Sequence, residues 1–205
     1  MSAAAGGLAA LRRRAALTPD EPFLFFRDSR GQFAWWSWRR AAEAAEAPAG
    51  EATDAPREYL RALHDDLPAS REAAVSRLQE RLGGAGERQI WYSSRPLDRG
   101  CEGLLARAAV EAGWAVVRDP GPRPSPQTVL WARPTLLAGE SGELVELCAA
   151  MVAGAPRWRR STWLRRRTRR WRAVLIDGPL APELAASLRE VEAHPAVLSS
   201  TDLGW

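Results

Sequence analysis

Short apolar runs alternate with amphipathic segments from residue 88 to residue 199, and this alternation constrains the fold more than any other feature of the sequence. The apolar runs predict strands at residues 88–93, 114–118, 128–132, 173–176 and 196–199. Helical spacing predicts a helix at residues 101–112, a second with Leu144, Leu147, Cys148 and Met151, and a third with Leu184, Leu188 and Val191. Strands that alternate with helices form βαβ units, so the predicted fold class is α/β with a mainly parallel sheet and flanking helices.

The N-terminal part of the chain predicts a β-hairpin between two helices. A first helix is expected within residues 1–17, strands at 23–27 and 32–36 enclose a turn, and Ser37 caps a helix over residues 38–47. A linker and a short helix at 57–66 follow. The next helix is predicted to be capped by Ser70 and to bury Val75, Leu78 and Leu82. The predicted organisation is therefore three segments: 1–47, 48–68 and an α/β subdomain at 69–205.

Every basic residue of the chain is an arginine. The 205 residues contain 29 arginines, no lysine and no asparagine. Both missing types have A-rich codons, so a GC-rich genome explains the bias. The chemical consequence holds whatever the cause: the chain cannot form a lysine Schiff base, place a lysine on a phosphate or use a lysine as general base.

Cysteines, histidines and the glycine-rich turn at 139–142 do not predict a catalytic or metal site. Cys101 and Cys148 lie in apolar, helix-like segments without a CxxC pairing, which favours two small buried side chains in reducing surroundings. His64 and His194 lack metal-ligand spacing, so surface or packing histidines are expected. Residues 139–142 lack the spacing of a nucleophile elbow and predict a helix start. We therefore expect no catalytic residue and no metal ligand.

The hydropathy pattern predicts no membrane span, because no run of 18 apolar residues occurs. Near the N-terminus, Arg12, Arg13 and Arg14 follow an Ala/Gly-rich stretch instead of preceding it. This order is the reverse of that in a secretory signal. The expected location is cytoplasmic.

The segment at residues 157–172 is the most unusual stretch of the sequence. It contains nine arginines, three tryptophans and no acidic residue. If it is helical, Leu164, Thr168 and Trp171 share one stripe. Three interpretations stay open: a solvated helix docked by its tryptophans, a helix lying on an anionic membrane surface, or a site for nucleic acid or an acidic protein. The side chains expected to contact an anionic partner are Arg165, Arg166, Arg167, Arg169 and Arg170.

Four colinear stretches resemble the large N-terminal domain of the adenylate-forming (AMP-binding) superfamily, which includes acyl- and aryl-CoA ligases, peptide-synthetase adenylation domains and luciferases. They are residues 19–38 (PDEPFLFFRDSRGQFAWWSW), 88–117 (with SRPLDRG at 94–100), 129–137 (VLWARPTLL) and 171–203 (with DGPLAPEL at 177–184). The resemblance covers about two thirds of the chain in the family's order. It implies a shortened acyl-CoA ligase-like subdomain preceded by the N-terminal hairpin.

The same resemblance implies that ATP-binding residues are missing. The family's Ser/Thr/Gly-rich phosphate loop, with its lysine, would precede the helix near Ser70, where residues 59–67 contain no glycine. The family's adenine- and magnesium-binding motif contains an aromatic residue and a glutamate, and residues 201–205 have neither at the matching positions. Asp202 could contact a cation only after a change of register. The family's later ribose-binding aspartate and catalytic lysine would lie beyond residue 205. ATP and Mg²⁺ are the family's cofactors, but none is predicted for this chain.

The leading hypothesis is therefore a non-catalytic relative of the acyl-CoA ligases that acts as a binding or partner-docking module. Its partner would be an enzyme of lipid or acyl metabolism, and part of an acyl cleft would be retained. The residues expected to line that cleft are Trp91, Asp98, Arg99, Gly178, Pro179, Leu180 and Thr201. Two alternatives remain open: a ligase subunit completed by a second chain, and an arginine-rich module for an anionic membrane or, less favoured, nucleic acid.

Overall fold

A computed structural model describes residues 6–28, 30–46, 55–64, 69–82, 89–92, 99–118 and 125–200 of the chain. The helices in these ranges are α1 (Gly7–Leu17), α2 (Trp38–Glu46), α3 (Ala55–Arg61), α4 (Ala69–Leu82), α5 (Arg99–Ala112), α6 (Pro126–Ala132), α7 (Ser141–Gly154), α8 (Arg160–Thr168) and α9 (Leu184–Glu190). A short 3₁₀ turn at Arg157–Arg159 precedes α8. The strands are β1 (Pro22–Arg27), β2 (Phe33–Ser37), β3 (Gln89–Tyr92), β4 (Ala115–Arg118), β5 (Leu136–Gly139), β6 (Ala173–Ile176) and β7 (Ala196–Ser199).

The seven strands form one sheet in the order β2-β1-β4-β3-β5-β6-β7. The β1–β2 hairpin is antiparallel, and every other pair is parallel. The predicted α/β class and the predicted N-terminal hairpin are thus confirmed. Because β1 pairs with β4, the sheet runs without a break from the hairpin into the βαβ units, across the segment boundaries predicted from the sequence.

Helices cover the two faces of the sheet, and alternate strand residues point to opposite faces. One face carries α1 to α5, packed on residues such as Leu136 and Leu175. The other carries α6 to α9, packed on Leu137 and Val174. The chain moves from β3 to β4 in one direction along the sheet and then crosses back to β5 on the other side of β3. The order therefore reverses between β3 and β5, and ligands of open α/β sheets bind at the carboxyl ends of the strands at such a point.

Most predicted elements agree with the structure to within a few residues. The backbone N–H of Arg40 donates to Ser37 Oγ (3.2 Å), so the predicted cap of α2 is confirmed. The stripes predicted for α4, α7 and α9 are buried, and α7 begins at Ser141, inside the predicted helix start. The strands predicted at 173–176 and 196–199 are β6 and β7. The predicted turn at 83–86 and most of the predicted loops at 47–56 and 120–126 lie outside the described residues. The described ends of those two loops are helical, because α3 begins at Ala55 and α6 at Pro126.

The strand predicted at residues 128–132 is wrong, because this segment is helix α6. Its β-branched and aromatic residues favour a strand, but its ends determine the structure. Ser125 Oγ accepts from the backbone N–H of Thr128, Pro126 occupies the first turn, and Arg133 ends the helix in the left-handed region (φ 48°). The strand that pairs in the sheet is β5, four residues beyond α6.

Two smaller corrections concern helix ends. Helix α4 begins at Ala69, so Ser70 lies within the helix and does not precede it as a cap would. In the arginine-rich segment, Leu164 and Thr168 are buried within α8 as predicted, whereas the buried Trp171 lies beyond the end of that helix.

Candidate functional site

The connections that follow β5 and β6 lie side by side at the carboxyl edge of the sheet. Strand β5 ends at Gly139, and β6 ends at Ile176. The backbone N–H of Asp177 donates to the carbonyl of Gly139 (3.1 Å), which extends the pairing one residue past the end of β6. The start of α7 is therefore held beside the loop that leads to α9.

One side-chain hydrogen bond ties these two connections together. The backbone N–H of Ala181 donates to Ser141 Oγ at 2.8 Å, and Ser141 is buried. Gly178 has φ +94°, a conformation that side chains of L-residues rarely adopt. A Cβ there would meet no atom within 4 Å, so backbone conformation, not lack of space, favours glycine at this turn.

A cavity of about 790 Å³ lies between these connections, and we name it the carboxyl-end groove. Its lining residues are Glu140, Ser141, Gly142, Asp177, Gly178, Pro179, Leu180, Ala181 and Pro182. Leu180 is 57% exposed and, with the two prolines, gives the groove an apolar wall. The described lining contains two carboxylates and no cationic side chain.

Three of the seven cleft residues predicted from the sequence lie together in this lining: Gly178, Pro179 and Leu180. The backbone of Trp91 lies in β3, paired with Leu137 of β5, and Arg99 is the first residue of α5. Asp98 and Thr201 lie outside the described residues. The predicted cleft, as a set of seven, stays a prediction.

Glu140, Ser141 and Asp177 were not predicted as site residues. Each follows directly or almost directly on the last residue of a parallel strand, the position from which ligand contacts arise in this kind of sheet. This signal was present for Asp177 because β6 was predicted correctly. The sequence gives no such signal for Glu140 and Ser141, because it predicts the preceding strand at 128–132.

A second cavity, of about 310 Å³, lies among arginines, and we name it the arginine pocket. Its lining residues are Arg133, Trp163, Arg166, Arg167, Arg169 and Arg170. Four of the five arginines predicted to contact an anionic partner thus share one cavity. Arg165 is exposed on α8 and does not line it. Arg133 was not predicted, because it lies just after the segment mistaken for a strand.

A buried polar cluster lies where α5 meets the end of β4. Glu102 Oε1 is 3.2 Å from Arg118 Nη1, and these side chains are 9% and 4% exposed. Burial of the nearby Tyr59 raises the pKa of its hydroxyl group, and the charge of Glu102 raises it further, while Arg118 opposes these effects. The hydroxyl group of Tyr59 therefore stays protonated at neutral pH.

The described cysteines and histidines agree with the sequence-based expectation. Cys101 and Cys148 are buried and do not form a disulfide bond with each other, and burial raises the pKa of the Cys148 thiol to about 12. His64 and His194 are exposed. Within the described ranges, no group of three or more potential ligands is placed to hold a metal ion. None of the described helices is long and apolar enough to cross a bilayer.

The sequence matches no protein-family profile and no curated protein sequence. Its fold, in contrast, is similar to those of solved structures. CmiS6 is 12% identical with a TM-score of 0.58, over 91% of this chain and 68% of CmiS6. VinN, solved in complex with L-aspartate, is 10% identical with a TM-score of 0.58, over 95% of this chain and 74% of VinN. The O-succinylbenzoate coenzyme A synthetase MenE from Bacillus subtilis, solved with AMP, is 12% identical with a TM-score of 0.56, over 89% of this chain and 56% of MenE.

Identities this low establish the fold and nothing further about activity. The chain spans 56% of the length of MenE, so the similarity concerns only a part of that enzyme. The four sequence stretches and the structural similarity agree on the same architecture. The resemblance predicted from the sequence is therefore confirmed at the level of the fold: this chain has the acyl-CoA ligase-like fold of the adenylate-forming enzymes, over a part of their length.

Proposed function

We propose that this protein is a binding module without adenylation activity, which holds an acyl group in the carboxyl-end groove. One observation carries this proposal: the described lining of the groove has two carboxylates and no cation. The described lining therefore offers the phosphates of ATP no guanidinium group. Adenylation depends on cations that neutralise the charge on the reacting phosphate, so the groove is suited to a ligand without phosphates.

The composition of the chain supports the same conclusion. The 205 residues include no lysine, which is the usual single-charge contact to a phosphate. The described residues of the groove include no arginine that could take its place. Both features support a ligand other than ATP.

The apolar wall of the groove supports an acyl ligand. Leu180 is 57% exposed, and Pro179 and Pro182 stand beside it on the same loop. A bound acyl chain would cover this wall and remove apolar surface from water, which stabilises the complex by about 0.8 kcal/mol for each buried CH₂ group. The loop position is fixed by the bond from Ala181 to Ser141, so the wall is preformed.

The partner that this proposal implies is an enzyme or carrier protein of acyl metabolism, which would present the acyl group as a thioester. A thioester is uncharged, so it needs no cationic side chain, and the described lining of the groove has none.

The test is calorimetric titration with S-octanoyl-N-acetylcysteamine, an acyl thioester that contains no phosphate. We expect binding to the unmodified protein, and at least about tenfold weaker binding to Leu180→Asp, because the variant places a charge in the apolar wall. Leu17→Asp is the matched control: Leu17 is 74% exposed on α1 and lies outside the groove, so its affinity should be unchanged.

A second measurement tests the absence of adenylation. The purified protein should show no exchange of pyrophosphate with ATP in the presence of octanoate. Any exchange by the purified protein would overturn the proposal, and exchange abolished by Leu180→Asp but not by Leu17→Asp would identify the groove as an active site.

A further inference from the structure

The arginine pocket lies at the opposite edge of the sheet from the carboxyl-end groove. The carbonyl of Thr135 accepts from the backbone N–H groups of Arg172 (2.9 Å) and Ala173 (3.3 Å). These bonds place the start of β5 beside the start of β6, at the amino edge. Arg133 therefore comes from the chain entering one strand and Arg169 from the chain entering the next.

The backbone that carries these arginines is held firmly. In α8, Leu164 is fully buried, and the hydroxyl group of the buried Thr168 lies 3.1 Å from the carbonyl oxygens of Leu164 and Val191. The buried Trp171 follows, with its backbone N–H donating to the carbonyl of Thr168 (2.8 Å). Since these three residues anchor the segment on one side, the arginines between them are directed to the other side.

The charge of the pocket is not balanced by neighbouring carboxylates. None of the five lining arginines forms an ion pair with an acidic side chain in the described part of the chain. Arg167 lies over the ring of Trp163, with 5.5 Å from the guanidinium carbon to the ring centre. Arginines near the end of α8 interact favourably with the dipole of that helix, and Arg133, the C-cap of α6, lies at the corresponding end of α6. Five cations around one cavity repel one another, and a multiply charged anion would relieve that repulsion.

The shape of the pocket favours a discrete ligand over a flat surface. A helix that lies on a membrane needs an exposed apolar face, whereas Leu164 of α8 is buried in the protein core. Trp158 is 77% exposed, but it precedes α8 and does not line the cavity. The volume of about 310 Å³ is at the lower end of the range for small-molecule sites, which runs from about 300 to 1,000 Å³.

We propose that the arginine pocket binds a group with two or more neighbouring phosphates, carried by a small molecule or by a lipid headgroup. Guanidinium groups form paired hydrogen bonds with phosphate oxygens, and several arginines around a cavity can hold adjacent phosphates together. Arg166 and Arg170 on one side and Arg133 on the other would contact different oxygens of the same group. This site is separate from the carboxyl-end groove and does not depend on the function proposed for that groove.

The test compares two double variants that remove the same charge. In calorimetric titrations with inorganic tripolyphosphate, Arg166→Gln/Arg170→Gln should bind at least about tenfold more weakly than the unmodified protein. Arg160→Gln/Arg165→Gln is the matched control, because both arginines are exposed on α8 but neither lines the pocket. Its affinity should stay within about threefold of the unmodified protein. Thermal unfolding of both variants establishes that each remains folded.

Two further titrations distinguish the sources of the phosphates. Vesicles of phosphatidylcholine with a bisphosphorylated phosphoinositide test the lipid headgroup, and tripolyphosphate tests the soluble ligand; pocket-dependent binding of either supports the proposal. Equal losses in the two double variants, or binding of neither tripolyphosphate nor the phosphoinositide vesicles, would overturn it. Duplex DNA that binds more tightly than tripolyphosphate, with equal weakening in the two double variants, would also overturn the proposal. An exposed basic surface would then account for the affinity.

Discussion

At the scale of single residues, the same type of ion pair has different consequences in the core and on the surface. Glu102 and Arg118 are almost fully buried, and desolvation makes each costly if its partner is lost. Arg12 and Glu46 approach more closely, at 2.6 Å, but their side chains are 60% and 50% exposed. Water and salt screen the exposed pair, so its shorter distance does not make it the stronger contribution to stability.

We therefore expect Glu102→Gln to lower the free energy of unfolding by about 3–5 kcal/mol, because the charge of Arg118 is left in the core without its carboxylate. Glu46→Gln should lower it by less than about 1 kcal/mol. Urea unfolding curves of the two variants provide the comparison. Similar losses in both variants would mean that the buried pair is solvated in the folded protein.

At the scale of elements, local capping prevailed over residue preference in the segment that precedes β5. Residues 128–132 have the composition of a strand, yet Ser125, Pro126 and Arg133 define a helix of one to two turns. Strand β5 itself reads LLAG and has no β-branched residue, so composition gave little signal for it. Because the sequence predicts this strand at 128–132 instead of 136–139, it does not indicate Glu140 and Ser141 as residues of the groove or Arg133 as a residue of the arginine pocket. The strands β6 and β7, rich in valine, leucine and isoleucine between clear helix ends, could be predicted to the residue.

The capping explanation makes a prediction for Ser125. Ser125→Ala should lower the free energy of unfolding by about 1 kcal/mol, because the N–H of Thr128 loses its side-chain acceptor. Ser125→Asp should keep most of the stability, since its carboxylate can accept the same bond and interacts well with the helix N-terminus. Chemical unfolding of both variants measures the difference. If both lose the same amount, Ser125 stabilises α6 by something other than its cap.

At the scale of the whole molecule, the sequence predicted the elements but not their neighbours. The order of segments was enough to identify a parallel α/β sheet and its resemblance to a known fold. It could not reveal that β1 lies beside β4 or that β3 lies between β4 and β5, because those pairings depend on contacts distant in sequence. Both candidate sites depend on this arrangement. The groove and the arginine pocket arise from connections that only the pairing of β5 with β6 brings together.

The continuous sheet also predicts how the chain responds to removal of its N-terminal part. Leu11, Phe23 and Trp38 are buried in the same core as α5, and the rings of Phe23 and Trp38 stack with centres 3.9 Å apart. A fragment of residues 47–205 would expose the face of α5 that α1 covers, together with the edge of β4 that pairs with β1.

We therefore expect the 47–205 fragment to lack a cooperative unfolding transition and to have a weak near-ultraviolet circular dichroism spectrum. Adding the separate 1–46 peptide should restore both signals, because the contacts between the two pieces are those of one core. If residues 69–205 instead form an independent subdomain, as the sequence division suggested, the fragment will unfold cooperatively on its own. The two outcomes separate one folding unit from two. If the chain is one unit, a ligand bound at the amino or carboxyl edge of the sheet stabilises the hairpin as well as the βαβ units.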